Sequence, residues 1–181
     1  MITRAEEARA KTGTVRMLKR AGIAMTAAER RSIEVADFGL SDLRHTGLQL
    51  FIYVNTPRYC AKELTLLPGQ ACPEHRHPTL GGKPGKQETF RCRWGEVFLY
   101  LPGKAARKPR ARPPKGTERW YTVWREIWLK PGEQFTVPPN TLHWFQSGPK
   151  GAVVSEFSSA SLDDHDVFTN PGISRRTTVK G

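Results

Sequence analysis

A chain of 181 residues, 38% hydrophobic and carrying five Trp and eight Phe, can bury one ordinary core, which excludes a disordered polymer. It has no apolar run long enough for a membrane helix, and Glu6 and Glu7 stand where a secretory leader would be apolar, so neither a membrane span nor an export signal is expected. The net charge of +12 raises the question of nucleic acid, but the excess is confined to residues 1–31 (eight Arg or Lys against three Glu) and 104–119 (seven against one). Neither segment has the aromatic interleaving or helix pattern of a specific binder, so the expectation is a solvated basic surface and no specific nucleic-acid partner.

In chain order, a helix is expected over residues 3–21: Thr3 can cap it, Glu6 completes a capping box and Gly22 stops it. Its apolar positions, Ala5, Ala8, Val15 and Leu18, are sparse and small, which places it on the outside of the body or against a partner. A second short helix is expected from Thr26, fading by Gly39. From Leu48 the apolar period becomes two. Leu48–Val54 and Tyr59–Leu67 read as strands, the second half-buried, with Lys62, Leu64 and Leu66 alternating against Ala61, Glu63 and Thr65.

Pro68-Gly69 turns the chain into a strand bearing His75 and His77, and residues 78–86, with three glycines and two prolines, form a loop. Glu88–Arg93 and Glu96–Leu101 are expected to pair as a hairpin about Trp94-Gly95. Residues 102–116 read as an exposed, mobile excursion. Trp120–Leu129 carries large side chains on both faces, so cover from a second subunit, and hence a homodimer, is expected. Gln134–Val137, Leu142–Gln146 and Ala152–Ser158 follow as strands, separated by turns at 138–140 and 148–151. The fold class is therefore all-β, a sandwich or barrel. Residues 1–45 form a helical extension packed outside it, 46–168 the barrel and 169–181 a tail.

The chemistry gathers around residues 69–95. His75 and His77 are two apart, so on a strand both imidazoles leave one face. Glu88 follows eleven residues after His77, and His143 lies far downstream after Pro138-Pro139-Asn140. Three imidazoles and a carboxylate suit a borderline divalent cation such as manganese, iron, nickel or zinc. Glu156 shares strand parity with Val154 and Ser158, which turns its carboxylate into the barrel, and Lys86 shares the face of Glu88. A lysine beside a cation should have a lowered pKa, as a proton donor or acceptor needs. Cys72, three residues before His75, should face the other way. Glu74 reads as a rim or supporting group, and His45 and His165 as surface residues. The three scattered cysteines, Cys60, Cys72 and Cys92, argue against a disulfide framework and for the cytoplasm.

These residues resemble the cupin motifs. Gly69, five residues, His75-Arg76-His77, a gap of ten, Glu88, six residues and Gly95 match the first. Gly132, five residues, Pro138-Pro139-Asn140, two residues, His143, three residues and Ser147 match the second, with Asn140 for a glycine and Ser147 for an asparagine. More narrowly, residues 58–168 resemble the D-lyxose ketol-isomerase family, through Arg58-Tyr-Cys-Ala-Lys-Glu, Glu74-His-Arg-His-Pro, Lys86-Gln-Glu-Thr-Phe-Arg, Pro138-Pro-Asn-Thr-Leu-His-Trp-Phe and Glu156-Phe-Ser-Ser before Asp163-Asp-His-Asp.

The resemblance implies a single jelly-roll cupin barrel that interconverts D-lyxose and D-xylulose, and commonly D-mannose and D-fructose, by proton transfer through a metal-stabilised enediol. It implies Mn²⁺ as the favoured metal, with Zn²⁺, Co²⁺, Ni²⁺ or Fe²⁺ as alternatives. His75, His77, Glu88 and His143 would be the ligands, and Lys86 and Glu156 the acid/base groups that also meet the substrate, with Asp164 and Asp166 beside them. Val167-Phe168 stands where some relatives carry a sugar-binding arginine. A cupin sugar-phosphate isomerase, an Fe(II) dioxygenase and a non-catalytic sugar-binding cupin remain alternatives.

Overall fold

A computed structural model describes residues 1–180. After the short strand β1 (Ile2–Thr3), helix α1 (Arg4–Arg20) begins on the expected capping box: Thr3 accepts from the Glu6 amide, and Glu6 accepts from the Thr3 amide at 2.8 Å. Its buried face is Ala10, Thr14, Met17 and Leu18, and the Thr14 and Thr65 hydroxyls meet at 3.1 Å beneath it. Helix α2 (Ala27–Arg31) has the second capping box, Thr26 with Glu29, but ends at once. It does not extend toward Gly39, because Glu34–Ala36 leave as strand β2 to pair with β3 (Leu48–Asn55).

The remaining strands are β4 (Cys60–Leu66), β5 (Ala71–Arg76), β6 (Glu88–Leu101), β7 (Arg125–Leu129), β8 (Gln134–Val137), β9 (His143–Ser158), β10 (Val167–Phe168) and β11 (Val179–Lys180). One nine-stranded sheet runs β10-β5-β9-β4-β3-β2, and β6 joins β9 to β7 and β8, so the sheet curls over itself. The all-β barrel expected from the alternation is thus present. Its apolar interior is built from Leu50, Leu64, Leu66, Cys92, Leu99, Phe145 and Val154. Truncating such a buried leucine to alanine typically costs about 2–5 kcal/mol.

Two expected turns are absent. Residues 88–101 form one strand of 14 residues, and 143–158 one of 16, rather than two hairpins. Gly95 bends β6 instead of reversing it: it has φ +72°, register shifts flank it, and a Cβ there would lie 2.0 Å from the Gly151 carbonyl oxygen. β4 is buried on both faces, not one. Glu63 accepts from the Tyr53 and Ser155 hydroxyls, and α1 covers Thr65.

The excursion 102–124 is tied down by the chain itself. The Arg110 guanidinium lies 4.2 Å over the Trp128 ring and pairs with Glu126, while Ala111 donates its amide to the Tyr100 hydroxyl at 2.9 Å. Only Arg125–Leu129 is strand, since the backbone just before it donates instead to Glu74. That carboxylate, 1% exposed, accepts from the amides of Thr122 (2.6 Å) and Val123 (3.0 Å) and from the hydroxyls of Thr122 and Thr169. Glu74 is therefore a clasp behind the barrel wall, not a rim group. Tyr100 stacks on Trp144 at 4.2 Å with Trp124 edge-on, so the aromatic face expected to await a second subunit is covered from within.

The tail returns across the barrel mouth. Ser174 donates to the Phe38 carbonyl, the Asp37 amide donates to the Thr177 hydroxyl, and β11 pairs parallel with β1. No helix among the described residues is long and apolar enough to cross a membrane.

Candidate metal centre and active site

The interior rows of the sheet explain why polar groups collect at one end. Across β4, β9 and β6, Leu64, Val154 and Cys92 form an apolar row; the next row is Lys62, Glu156 and Phe90, and the next Cys60, Ser158 and Glu88. Each step of two residues toward the mouth replaces carbon by ionisable groups.

On β5, Cys72 pairs with Phe145 and His75 with His143, a register one residue out of step. Pro73, which has no amide hydrogen to donate, sits within this bulge. The bulge cancels the parity argument: Cys72 faces inward and lines the same chamber as His75.

The three histidines converge. His75, His77 and His143 each offer a ligand nitrogen within 4.8 Å of the others. Each Nδ1 is engaged on the outer side: His75 with the Pro73 carbonyl (2.8 Å), His77 with Asp166 (2.5 Å), His143 with the Thr141 carbonyl (2.9 Å). That leaves three Nε2 atoms facing inward, the arrangement that orients imidazoles for a metal. Glu88 Oε1 lies 3.1 Å from His77 Nε2 and 2.9 Å from His143 Nε2, yet His143 Nε2 is fully buried and makes no well-aligned hydrogen bond. A buried, orphaned lone pair beside a carboxylate and two more imidazoles fits a divalent cation.

The electrostatics agree. Burial, with the neighbouring imidazoles, holds His75 well below the usual histidine pKa. Burial would lower His77 too, but Glu88 and Asp166 on its two nitrogens push it up to about 9. Glu88 stays ionised, well below its usual range, because Lys86 and the histidines outweigh its burial.

Lys86 Nζ reaches Glu88 Oε2 at 2.8 Å and Glu156 Oε1 at 3.1 Å. Burial favours the neutral amine, but Glu156, Glu88 and Asp163 overcome it and raise the pKa well above the ordinary lysine value. The lowered pKa expected beside a cation is thus opposed by the protein's own charges. Glu156 is 3% exposed and lines the chamber with Lys86 and the histidines.

Asp164 departs from expectation. It faces outward and pairs with Arg176 at 3.0 Å, because the one-turn 3-10 helix Asp163–His165 directs alternate carboxylates to opposite sides. Asp163 and Asp166 take the inner places.

Two lining residues have no role expected from the sequence, although one of them, Lys62, falls within the family-like run Arg58–Glu63. Lys62 stands opposite Glu156 on β4, foreshadowed by its parity with Leu64 and Leu66 and by its place in the run Arg58–Glu63. Arg175 enters from the tail, 2.5 Å from Glu34 and 3.5 Å from Asp163, and nothing in the local sequence announces it. His45 and His165 are exposed, as expected.

Comparison with known proteins agrees with this geometry. The family model described as D-lyxose isomerase matches residues 17–181. A D-lyxose/D-mannose isomerase of Thermosediminibacter oceani is 66% identical over 158 residues, 87% of each chain, and a D-lyxose ketol-isomerase of Thermofilum sp. is 57% identical over 175 residues, 97% of each. Among solved structures, L-ribose isomerases of Acinetobacter sp. DL28 and Cellulomonas parahominis superpose with a TM-score of 0.83 over 99% of this chain and 98% of theirs, at 18% and 17% identity, a likeness of fold. The chain belongs to the D-lyxose isomerase family of cupin-fold sugar isomerases.

Proposed function

We propose that the protein interconverts D-lyxose and D-xylulose, and D-mannose and D-fructose, with Mn²⁺ held by His75, His77, Glu88 and His143. The observation that carries this reading is the meeting, in one buried chamber, of three inward Nε2 atoms, Glu88 and the Lys86–Glu156 pair. D-Lyxose and D-mannose have the same configuration at C2 to C4, so a chamber that reads those carbons accepts both, in keeping with the name of the Thermosediminibacter relative.

When bound, the divalent cation supplies Lewis-acid polarisation of the C1–C2 oxygens. The chain's own residues move the protons. Glu156 takes the C2 proton of the aldose while Lys86 gives a proton to O1, leaving an enediol. Lys86 then recovers a proton from O2 as Glu156 returns its proton to C1, giving the ketose and restoring both groups. The 3.1 Å contact between Lys86 and Glu156 supports their acting as this pair. Asp166, on His77 Nδ1, orients a ligand rather than the sugar.

A second reading has its own observation. The chamber continues past His77, Lys86 and Asp166 into a vestibule of about 200 Å³ lined by His165 and by Arg58 and Lys83, two cations suited to a phosphorylated sugar. Elsewhere, exposed Tyr53, Tyr59 and Phe157 on the outer sheet face support a homodimer through that face, and three buried free thiols support a cytoplasmic setting.

The test is conversion of free D-lyxose and D-mannose by chelator-stripped protein with and without added Mn²⁺. Metal-restored xylulose and fructose are expected. Turnover of only the phosphorylated sugars would favour the second reading, and turnover unaffected by stripping would remove the metal from the mechanism.

A further inference from the structure

We propose that Lys62 is the positioning residue for Glu156, a fixed cation that holds the carboxylate in place while Lys86 exchanges protons with the sugar. The inference rests on the preceding reading of Glu156 as the proton carrier.

Lysine is among the residues least often buried, yet the Lys62 side chain is 2% exposed on a strand face it shares with Leu64 and Leu66. Sequestering an ammonium is costly unless its partners are charged and well placed. Here they are: Nζ donates to Ser161 Oγ and Asp163 Oδ2, both at 3.0 Å, and lies 3.7 Å from Glu156 Oε1. Ser161 in turn donates to the other oxygen of Asp163, closing a ring of three groups around the ammonium. Lys62 is therefore anchored by Ser161 and Asp163, neither of which belongs to the histidine cluster.

Glu156 Oε1 thus has two cations, Lys86 at 3.1 Å and Lys62 at 3.7 Å. They differ in anchorage. Lys86 belongs to the end of the 78–86 loop and holds only groups of the active chamber, Glu88, Glu156 and, at 3.8 Å, Asp163. Lys62 lies within β4, directly opposite Glu156 in register, and is pinned to Ser161 and Asp163. When Lys86 turns to a sugar oxygen, Glu156 loses that hydrogen bond but not its second cation. The carboxylate keeps its place through both half-reactions, as a base that serves two adjacent carbons must.

The experiment compares the parent, Lys62→Met, Asp163→Asn and the double variant, each loaded with Mn²⁺, for melting temperature, metal content, kcat and KM on D-lyxose, and the isotope effect on kcat with C2-deuterated D-lyxose. The double variant removes both ends of the buried pair, so it folds without an orphaned charge even where Lys62→Met does not. It is expected to keep metal and KM within about threefold, to lose roughly 30- to 100-fold in kcat, and to show a larger isotope effect, because a loosened base slows the proton-transfer step itself. A folded double variant with kcat within about twofold of the parent overturns the proposal. So does a loss with an unchanged isotope effect, which marks a merely structural role, or a loss that Asp163→Asn alone reproduces in full. A parent that fails to isomerise, or a Glu156→Gln variant with parental kcat, instead removes the role of Glu156, and this inference with it.

Discussion

His75 on β5 and His143 on β9 stand directly opposite one another in register, their rings 4.3 Å apart, although most of the barrel separates them along the chain. Each is fastened at Nδ1 to a carbonyl two residues before it, Pro73 and Thr141. Removing either ring should therefore open the candidate metal site without disturbing the core below. His75→Ala or His143→Ala is expected to lower bound metal to less than about a tenth of an equivalent and turnover at least ~100-fold. Elemental analysis beside far-ultraviolet circular dichroism checks both halves; a fully metallated, active variant would remove that histidine from the ligand set.

Glu156→Gln keeps the shape of the side chain and removes the proposed base. Turnover should fall by roughly 10³-fold with metal content and fold retained, within the range ascribed to a positioned acid/base group. The measurement is kcat beside metal content, and activity within tenfold of the parent would show that another group carries the proton.

Asp166 is joined to the candidate metal site through His77 Nδ1, at 2.5 Å. Asp166→Asn should weaken metal affinity about 10- to 100-fold while leaving kcat near the parental value at saturating metal. Titration against a competing chelator reads the first quantity and saturation kinetics the second.

Glu63 lies outside the chamber, covered by Tyr53 and Ser155, and burial raises its pKa. A raised folded-state pKa means that the native protein holds the proton more tightly than the unfolded chain does. Its contribution is present below the unfolded value of about 4.3 and is lost as pH rises through the folded value. Glu63→Gln, permanently neutral, should therefore gain on the parent as pH rises, ending a few degrees higher in Tm at pH 8, on the scale of about 4 °C per kcal/mol for a domain of this size. Melts between pH 4 and 8 test the sign, and a difference independent of pH would contradict it.

Arg110 fastens the basic excursion by stacking on Trp128 and pairing with Glu126. Arg110→Ala should speed tryptic cleavage within residues 102–116 several-fold, while Tm shifts by only about 1–3 °C, because a half-exposed pair contributes little to global stability. Cleavage at the parental rate would mean that the other contacts of the loop suffice.

The site was legible to the extent that its chemistry is local. His75 and His77 share a face by simple alternation, and Asn140 takes the left-handed turn, φ +56°, that the pattern before His143 requires. What pairing decides was not legible. Gly95 reads as a turn residue in isolation and becomes a bulge because β9 lies beside it; Cys72 reads as outward until the bulge turns it in. Lys62 lies in the family-like run Arg58–Glu63, yet only its register with Glu156 suggests what it does. Arg175 depends on the path of a tail held by Ser174, Thr177 and β11, which no local period encodes.

The bulge at Pro73 also separates two kinds of tolerance to insertion and deletion. Side-chain direction in a strand repeats every two residues, so one residue added or lost between Cys72 and His75 turns both imidazoles from the chamber to the outer wall. Residues 78–85 carry no such parity: they leave after His77 and return before Lys86, held across the loop by the mutual backbone bonds of Leu80 and Lys83. A lengthened or shortened tip between Leu80 and Lys83 changes chiefly the vestibule, whereas Gly85 packs against the His77 carbonyl and fixes the loop's return. Homologues should therefore differ in length on one side of His77 and hardly at all on the other, and new sugar preferences are most accessible by redesigning that loop.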